Sequence, residues 1–160
     1  MRRAALMLLL AWAGAATAAP PRVVPLAAGD VPALLQPPGQ GQRIIALWAL
    51  DCVYCEPALR ALAALQKAHP DTVELVTVAT DSVAEADRIA ARLDAAGLAA
   101  VPARAYAEAT PDRLDFLIDP DWGGETPRTL VIRADGTRTA LSGRLGPEQL
   151  DRLATMPGGR

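Results

Sequence analysis

Cysteine, histidine and aromatic residues are scarce in this chain. Of its 160 residues two are cysteine and one is histidine, and Phe, Trp and Tyr together make up 4%. These shortages exclude several classes of function. A zinc centre needs about four nitrogen or sulfur ligands, and two thiols with the distant His69 do not supply them; no metal ligand set is assigned. Positive charge is not in excess either: 16 basic residues stand against 18 acidic ones, a formal net charge of −2. A chain so balanced has no electrostatic footprint for nucleic acid. Nor is it a disulfide-stapled scaffold, because closing a loop this short contributes only about 2 kcal/mol.

Long hydrophobic runs are missing outside the N-terminus. There, Met1-Arg2-Arg3 precedes an apolar stretch from Ala4 to Ala15, followed by Ala16-Thr17-Ala18. The stretch falls short of the roughly 20 residues that a spanning helix needs. Basic start, apolar centre and small-residue end read as a secretory signal peptide over residues 1–18, cleaved after Ala18. An uncleaved anchor is the weaker alternative. Export implies an oxidising compartment, here the periplasm.

What the chain does have is one C-x-x-C, in the run Trp48-Ala49-Leu50-Asp51-Cys52-Val53-Tyr54-Cys55. Arg43 to Leu47 before it reads as a buried strand. Pro57 to Ala68 after it reads as a helix with Leu59, Leu62 and Leu65 on its inner face. Two cysteines opening a helix put the first sulfur at its N-terminus, beside unpaired backbone N–H groups and the positive end of the helix dipole. Both favour a thiolate, the species that attacks disulfides.

The rest of the chain fits a single domain. Residues 19–42 are rich in Pro and Gly and read as an irregular segment, with Val23-Val24 as a candidate edge strand. Residues 43–154 carry the domain, and 155–160 a frayed tail. A second strand is expected from Thr72 to Ala79. A helix then starts at a capping box, Ser82 to Glu85, and stops at Gly97. A short helix follows Thr110-Pro111. Thr129 to Arg133 and Thr137 to Ser142 make a hairpin about Asp135-Gly136, and Pro147 to Ala154 closes the chain as a helix. The order implies an α/β fold: a central mixed β-sheet flanked by helices on both faces.

Together these residues resemble the thioredoxin superfamily, and within it the exported TlpA-type thiol–disulfide oxidoreductases. Trp48-Ala49 followed by Cys52-Val53-Tyr54-Cys55 is similar to the W-A-x-x-C-x-x-C of that family. Gly124 to Ile132, containing Thr126-Pro127, resembles its segment with a cis-proline running into a strand. Asp135-Gly136 resembles the hairpin turn after it. The likeness covers roughly residues 43–154 and is loose over 98–123. Ala46 and Ala58 stand where such proteins often carry a buried acid, so the base for the second cysteine is unassigned.

The resemblance implies a thioredoxin-like enzyme with no cofactor beyond its redox-active disulfide. Cys52 is the expected nucleophile and Cys55 the resolving thiol. Asp51 and Glu56 are the nearby carboxylates; Asp51 should disfavour the Cys52 thiolate and tilt the pair towards reduction of its client. Trp48, Val53 and Tyr54 shape the site. Thr126 and Pro127 are candidates for substrate binding; Trp122 ahead of them is either a further contact or a plug over the sheet edge. The expected partners are a disulfide-containing protein and, for a reductase, a membrane-linked electron donor, met by a monomer. A disulfide oxidase or isomerase remains an alternative, as does a non-catalytic binding module or metallochaperone of the same fold.

Overall fold

A computed structural model describes residues 22–107 and 111–155. The signal-peptide reading over 1–18, the proposed cap Thr110 and residues 156–160 lie outside them. Among the described residues, no helix is long and apolar enough to cross a membrane.

Six strands form one sheet in the order β1-β4-β3-β2-β5-β6. At its centre lies β2 (Gln42–Trp48), which pairs parallel with β3 (Val73–Ser82) and antiparallel with β5 (Arg128–Arg133). From Ile44 to Trp48 every residue of β2 is buried. Such an unbroken apolar run marks a strand covered on both faces. Ile44, Ala46 and Trp48 point into one core with Leu59, Leu62, Ile89 and Leu93. Ile45 and Leu47 point into the other with Val31, Leu34, Leu114 and Ile118. The first core is roofed by α2 (Cys55–Ala68), α3 (Ala86–Ala95) and α5 (Pro147–Thr155); the second by α1 (Val31–Leu34) and α4 (Pro111–Ile118). This is the mixed sheet with helices on both faces implied by the sequence.

The ends of these elements have local causes. Helix α2 buries Cys55, Ala58, Leu59, Leu62 and Leu65, a single stripe at helical spacing, and stops at His69 before Pro70. Only half of the Ser82–Glu85 box is formed. The Ser82 hydroxyl accepts from the Ala84 N–H at 3.2 Å, while Glu85 turns to Arg88 at 2.7 Å. The hairpin β5–β6 (Arg138–Ser142) is tied at its turn by Asp135, whose Oδ1 accepts from the Thr137 N–H at 2.9 Å. At the start of β2, Gly41 has φ +66°, and a Cβ there would lie 2.2 Å from the Thr72 carbonyl oxygen. Only glycine fits that approach.

Two strands were not foreseen as they stand. The segment 19–42, expected to be irregular apart from Val23-Val24, supplies the edge strand β1 (Val23–Leu26), a 3-10 turn and α1. Pro25 lies inside β1, a position tolerated on an edge where one side of the backbone needs no ladder partner. Strand β4 (Ala103–Tyr106) falls in the stretch expected to hold only a short helix, and it pairs parallel with both β1 and β3. The parallel strands β2, β3 and β4 end at the same edge of the molecule, where β5 begins. That edge carries the cysteines.

Candidate functional site

Strand β2 delivers the chain to Trp48, and the cysteines follow in a turn leading into α2. The turn is closed by its own backbone: the Cys52 N–H donates to the Ala49 carbonyl and the Cys55 N–H to the Cys52 carbonyl, both at 3.3 Å. It is also held from β3. The Leu50 N–H donates to Asp81 Oδ2 at 2.9 Å, and the Thr80 hydroxyl reaches the Trp48 carbonyl at 3.4 Å.

Cys52 and Cys55 are joined in a disulfide with Cα atoms 5.4 Å apart. The two sulfurs differ in access. Cys52 is partly exposed, whereas Cys55, the first residue of α2, is 1% exposed. An incoming thiol or disulfide therefore meets Cys52 first. Val53 and Tyr54, between them, stand out at 78% and 58% exposed and form an apolar rim rather than a cover. Asp51 is exposed beside Cys52.

Glu56 does not lie ready to take a proton from Cys55. It is turned to Arg60 at 2.8 Å and to Arg92 at 3.7 Å. The hydrogen bond from Arg60 and the charge of both arginines hold its carboxyl below the usual range. Trp48 is buried at 1% exposure beneath the turn, and its indole N–H finds no acceptor among the described residues.

Opposite the disulfide runs the loop into β5. The Thr126–Pro127 peptide bond is cis, and Pro127 lines the same small cavity as Cys55. Arg128, next in sequence, anchors the loop. It donates to Asp119 Oδ2 at 2.6 Å, to Ser142 Oγ at 2.6 Å and to Glu125 Oε1 at 3.3 Å. The Ser142 hydroxyl donates in turn to Glu125 Oε1. Trp122, read from the sequence as either a substrate contact or a plug, is buried at 6% exposure. Its indole N–H donates to the Glu125 carbonyl at 2.7 Å, which makes it a plug beneath the loop. A large amphipathic ring with one satisfied donor is well suited to that task.

Helix α4 braces the same loop. The Tyr106 hydroxyl at the end of β4 donates to Asp115 Oδ1 at 2.5 Å, and Asp115 Oδ2 lies 3.4 Å from where a side chain on Gly124 would begin. Gly124 has φ +86°, a conformation that suits glycine. Burial pushes the Asp115 carboxyl above its ordinary range, and burial with the Asp115 bond does the same to the Tyr106 phenol.

Sequence reasoning missed Asp81 and the Arg128 cluster. Asp81 was within reach: it follows the apolar run of β3, and parallel strands bring their C-terminal ends to the ligand edge of a sheet. The Arg128 cluster joins residues up to 17 apart through hairpin register, and no local pattern announces it.

No family model and no curated protein sequence matches this chain. Solved structures do. A secreted Mycobacterium tuberculosis disulfide oxidoreductase homologous to E. coli DsbE is 22% identical, with 78% of this chain aligned to 86% of that one at a TM-score of 0.56. The fold is thioredoxin-like. A thiol:disulfide interchange protein of the thioredoxin family from Chlorobium tepidum is 19% identical over 90% of this chain and 99% of its own, with a TM-score of 0.57. A thioredoxin-related protein from Neisseria meningitidis serogroup B is 24% identical over 71% and 82%, with a TM-score of 0.54. In this thioredoxin-like frame the C-x-x-C disulfide sits at the N-terminus of α2, facing the cis Thr126–Pro127 bond. Among the described residues, no group of three or more His, Cys, Asp or Glu is placed to hold a metal.

Proposed function

We propose that this chain is an exported thiol–disulfide oxidoreductase that reduces disulfides in protein clients. The observation carrying the reading is the unequal burial of two bonded sulfurs at a helix N-terminus. The reachable Cys52 is the nucleophile and the enclosed Cys55 the resolving thiol. In the forward cycle the Cys52 thiolate attacks a client disulfide, and one client sulfur leaves. Cys55 then attacks Cys52, the second client sulfur leaves, and the enzyme disulfide remains. Two electrons pass from enzyme to client. An external dithiol, supplied in the cell by a membrane-linked donor, restores the enzyme.

Charge around the pair supports the direction. Asp51 and Asp81 put two carboxylates within two residues of the turn that bears Cys52 or in direct contact with it. A carboxylate near a thiol disfavours the thiolate, so the dithiol gives up its electrons more readily. The exposed Val53 and Tyr54 offer apolar contact to a protein client, and Thr126 and Pro127 the surface along which its chain lies.

The test is catalysed reduction of a model protein disulfide with a small dithiol as electron source. Turnover lost in Cys52→Ser, and a trapped mixed disulfide in Cys55→Ser, are the expected results. A wild-type protein that does not accelerate the reaction contradicts the proposal.

A further inference from the structure

Among the described residues, no proton acceptor lines the cavity that holds Cys55. Cys55 lines a cavity of about 10 Å³ whose other walls, Arg128 apart, are apolar side chains such as Ala46, Trp48, Ala58 and Leu62, with Pro127 and Thr129. No carboxylate, lysine or histidine lines that cavity. Its one charged lining residue is Arg128, a cation already committed to Asp119, Glu125 and Ser142.

The other charged groups around the site are also accounted for. On α2 itself Glu56 faces Arg60, and from α3 it is met by Arg92. From β3, Asp81 holds the Leu50 N–H. On the turn, Asp51 is exposed. The facing stretch of β2, from Ile44 to Trp48, carries no ionisable residue.

A thiol buried among apolar groups keeps its proton to higher pH, because desolvation penalises the charged form. Yet resolution of a mixed disulfide requires the Cys55 thiolate. Resting on the cycle proposed above, we infer that Cys55 loses its proton to solvent base without a side-chain relay, so the Cys52–client disulfide is long-lived at neutral pH and its resolution is driven by hydroxide. The step balances. Hydroxide takes the Cys55 proton to form water, the Cys55 thiolate bonds to Cys52 Sγ, and the Cys52–client bond breaks. The client sulfur leaves as a thiolate and is protonated by solvent. At neutral pH the protein thus holds its client covalently for longer than it takes to capture it.

Ellman's reagent, a small aromatic disulfide, separates the two steps. Mixed in excess with the reduced mature protein, it releases one coloured thiolate when Cys52 attacks and a second when Cys55 resolves the adduct. The second phase should accelerate about tenfold per pH unit from roughly pH 6 to 9, as the thiolate fraction does below its pKa. Thr129→Val, which removes the one hydroxyl on the cavity wall, should leave that profile unchanged. Ala46→Asp, which puts a carboxylate on the wall, should speed the second phase at pH 7 by at least about tenfold and flatten its pH dependence.

A second phase already level at pH 7, or one slowed in Thr129→Val, reveals an internal proton route and overturns the inference while the proposed cycle stands. Absence of a fast first phase overturns both. Should Ala46→Asp not fold, the wild-type and Thr129→Val profiles decide.

Discussion

Asp81 Oδ2 accepts a hydrogen bond from the Leu50 N–H at 2.9 Å, so a carboxylate from β3 holds the turn two residues before Cys52. The contact does two things that substitution separates. Asp81→Asn keeps an acceptor but removes the charge, and should lower the Cys52 pKa with little loss of stability. Asp81→Ala removes the acceptor and should cost about 1–2 kcal/mol by leaving a part-buried N–H unpaired. Alkylation rate against pH and urea denaturation read the two effects. Equal stability of the two variants contradicts the assignment.

Asp51 is exposed and directly precedes Cys52, and in the proposed cycle it acts on that sulfur by charge. Asp51→Asn should shift the pH profile of Cys52 alkylation to lower pH. The effect should shrink as salt is raised, because an exposed charge is screened. No shift, or a shift upward, contradicts it.

Arg128 and Asp119 are 12% and 11% exposed and meet at 2.6 Å. Removing one partner of a buried pair strands the other's charge, so Arg128→Ala should destabilise the protein by about 3–5 kcal/mol. The double variant with Asp119→Ala should recover part of the loss, because neither charge is then left alone. If the double variant loses the full sum of the two single effects, the pair is not coupled as described. In the assay of client reduction, the weakened loop should raise KM more than it lowers kcat.

Burial raises the Asp115 carboxyl, so the fold favours its protonated form. The contribution is fully present below the unfolded-state pKa and is lost as pH rises through the raised folded-state value. Asp115→Asn keeps an acceptor for the Tyr106 hydroxyl and carries no charge. It should match or exceed wild-type stability at pH 7, with the advantage fading in acid. Denaturation midpoints at pH 3 and pH 7 measure this; a variant weaker than wild type at pH 7 by more than at pH 3 contradicts it.

Much of the fold was legible because its central elements carry strong periodicity. The apolar run of β2, the leucine stripe of α2 and the Asp135-Gly136 turn each have a local physical cause visible in sequence. Strands β1 and β4 do not. Each is four residues long, one contains proline and the other two alanines, and each becomes a strand only by pairing: Val23 with Ala103, and Ala103 with Thr77. Tertiary context overrides weak β-propensity there.

The site divides in the same way. Cys52 and Cys55 announce themselves by spacing and position. Asp81 reaches Leu50 across 31 residues and Arg128 reaches Ser142 across 14, so sheet register rather than local sequence makes those contacts. Trp122 shows the limit from the other side: its residue type suits an interface as well as a core, and only its burial distinguishes them.

The most direct test of the proposed function is the reduction potential of the Cys52–Cys55 pair, from equilibration in thiol buffers with alkylation trapping. A protein that donates electrons to client disulfides should have a potential near or below about −270 mV, where thioredoxin lies. A potential close to about −120 mV would mark a strong oxidant. It would contradict both the direction of the cycle and the part assigned to Asp51.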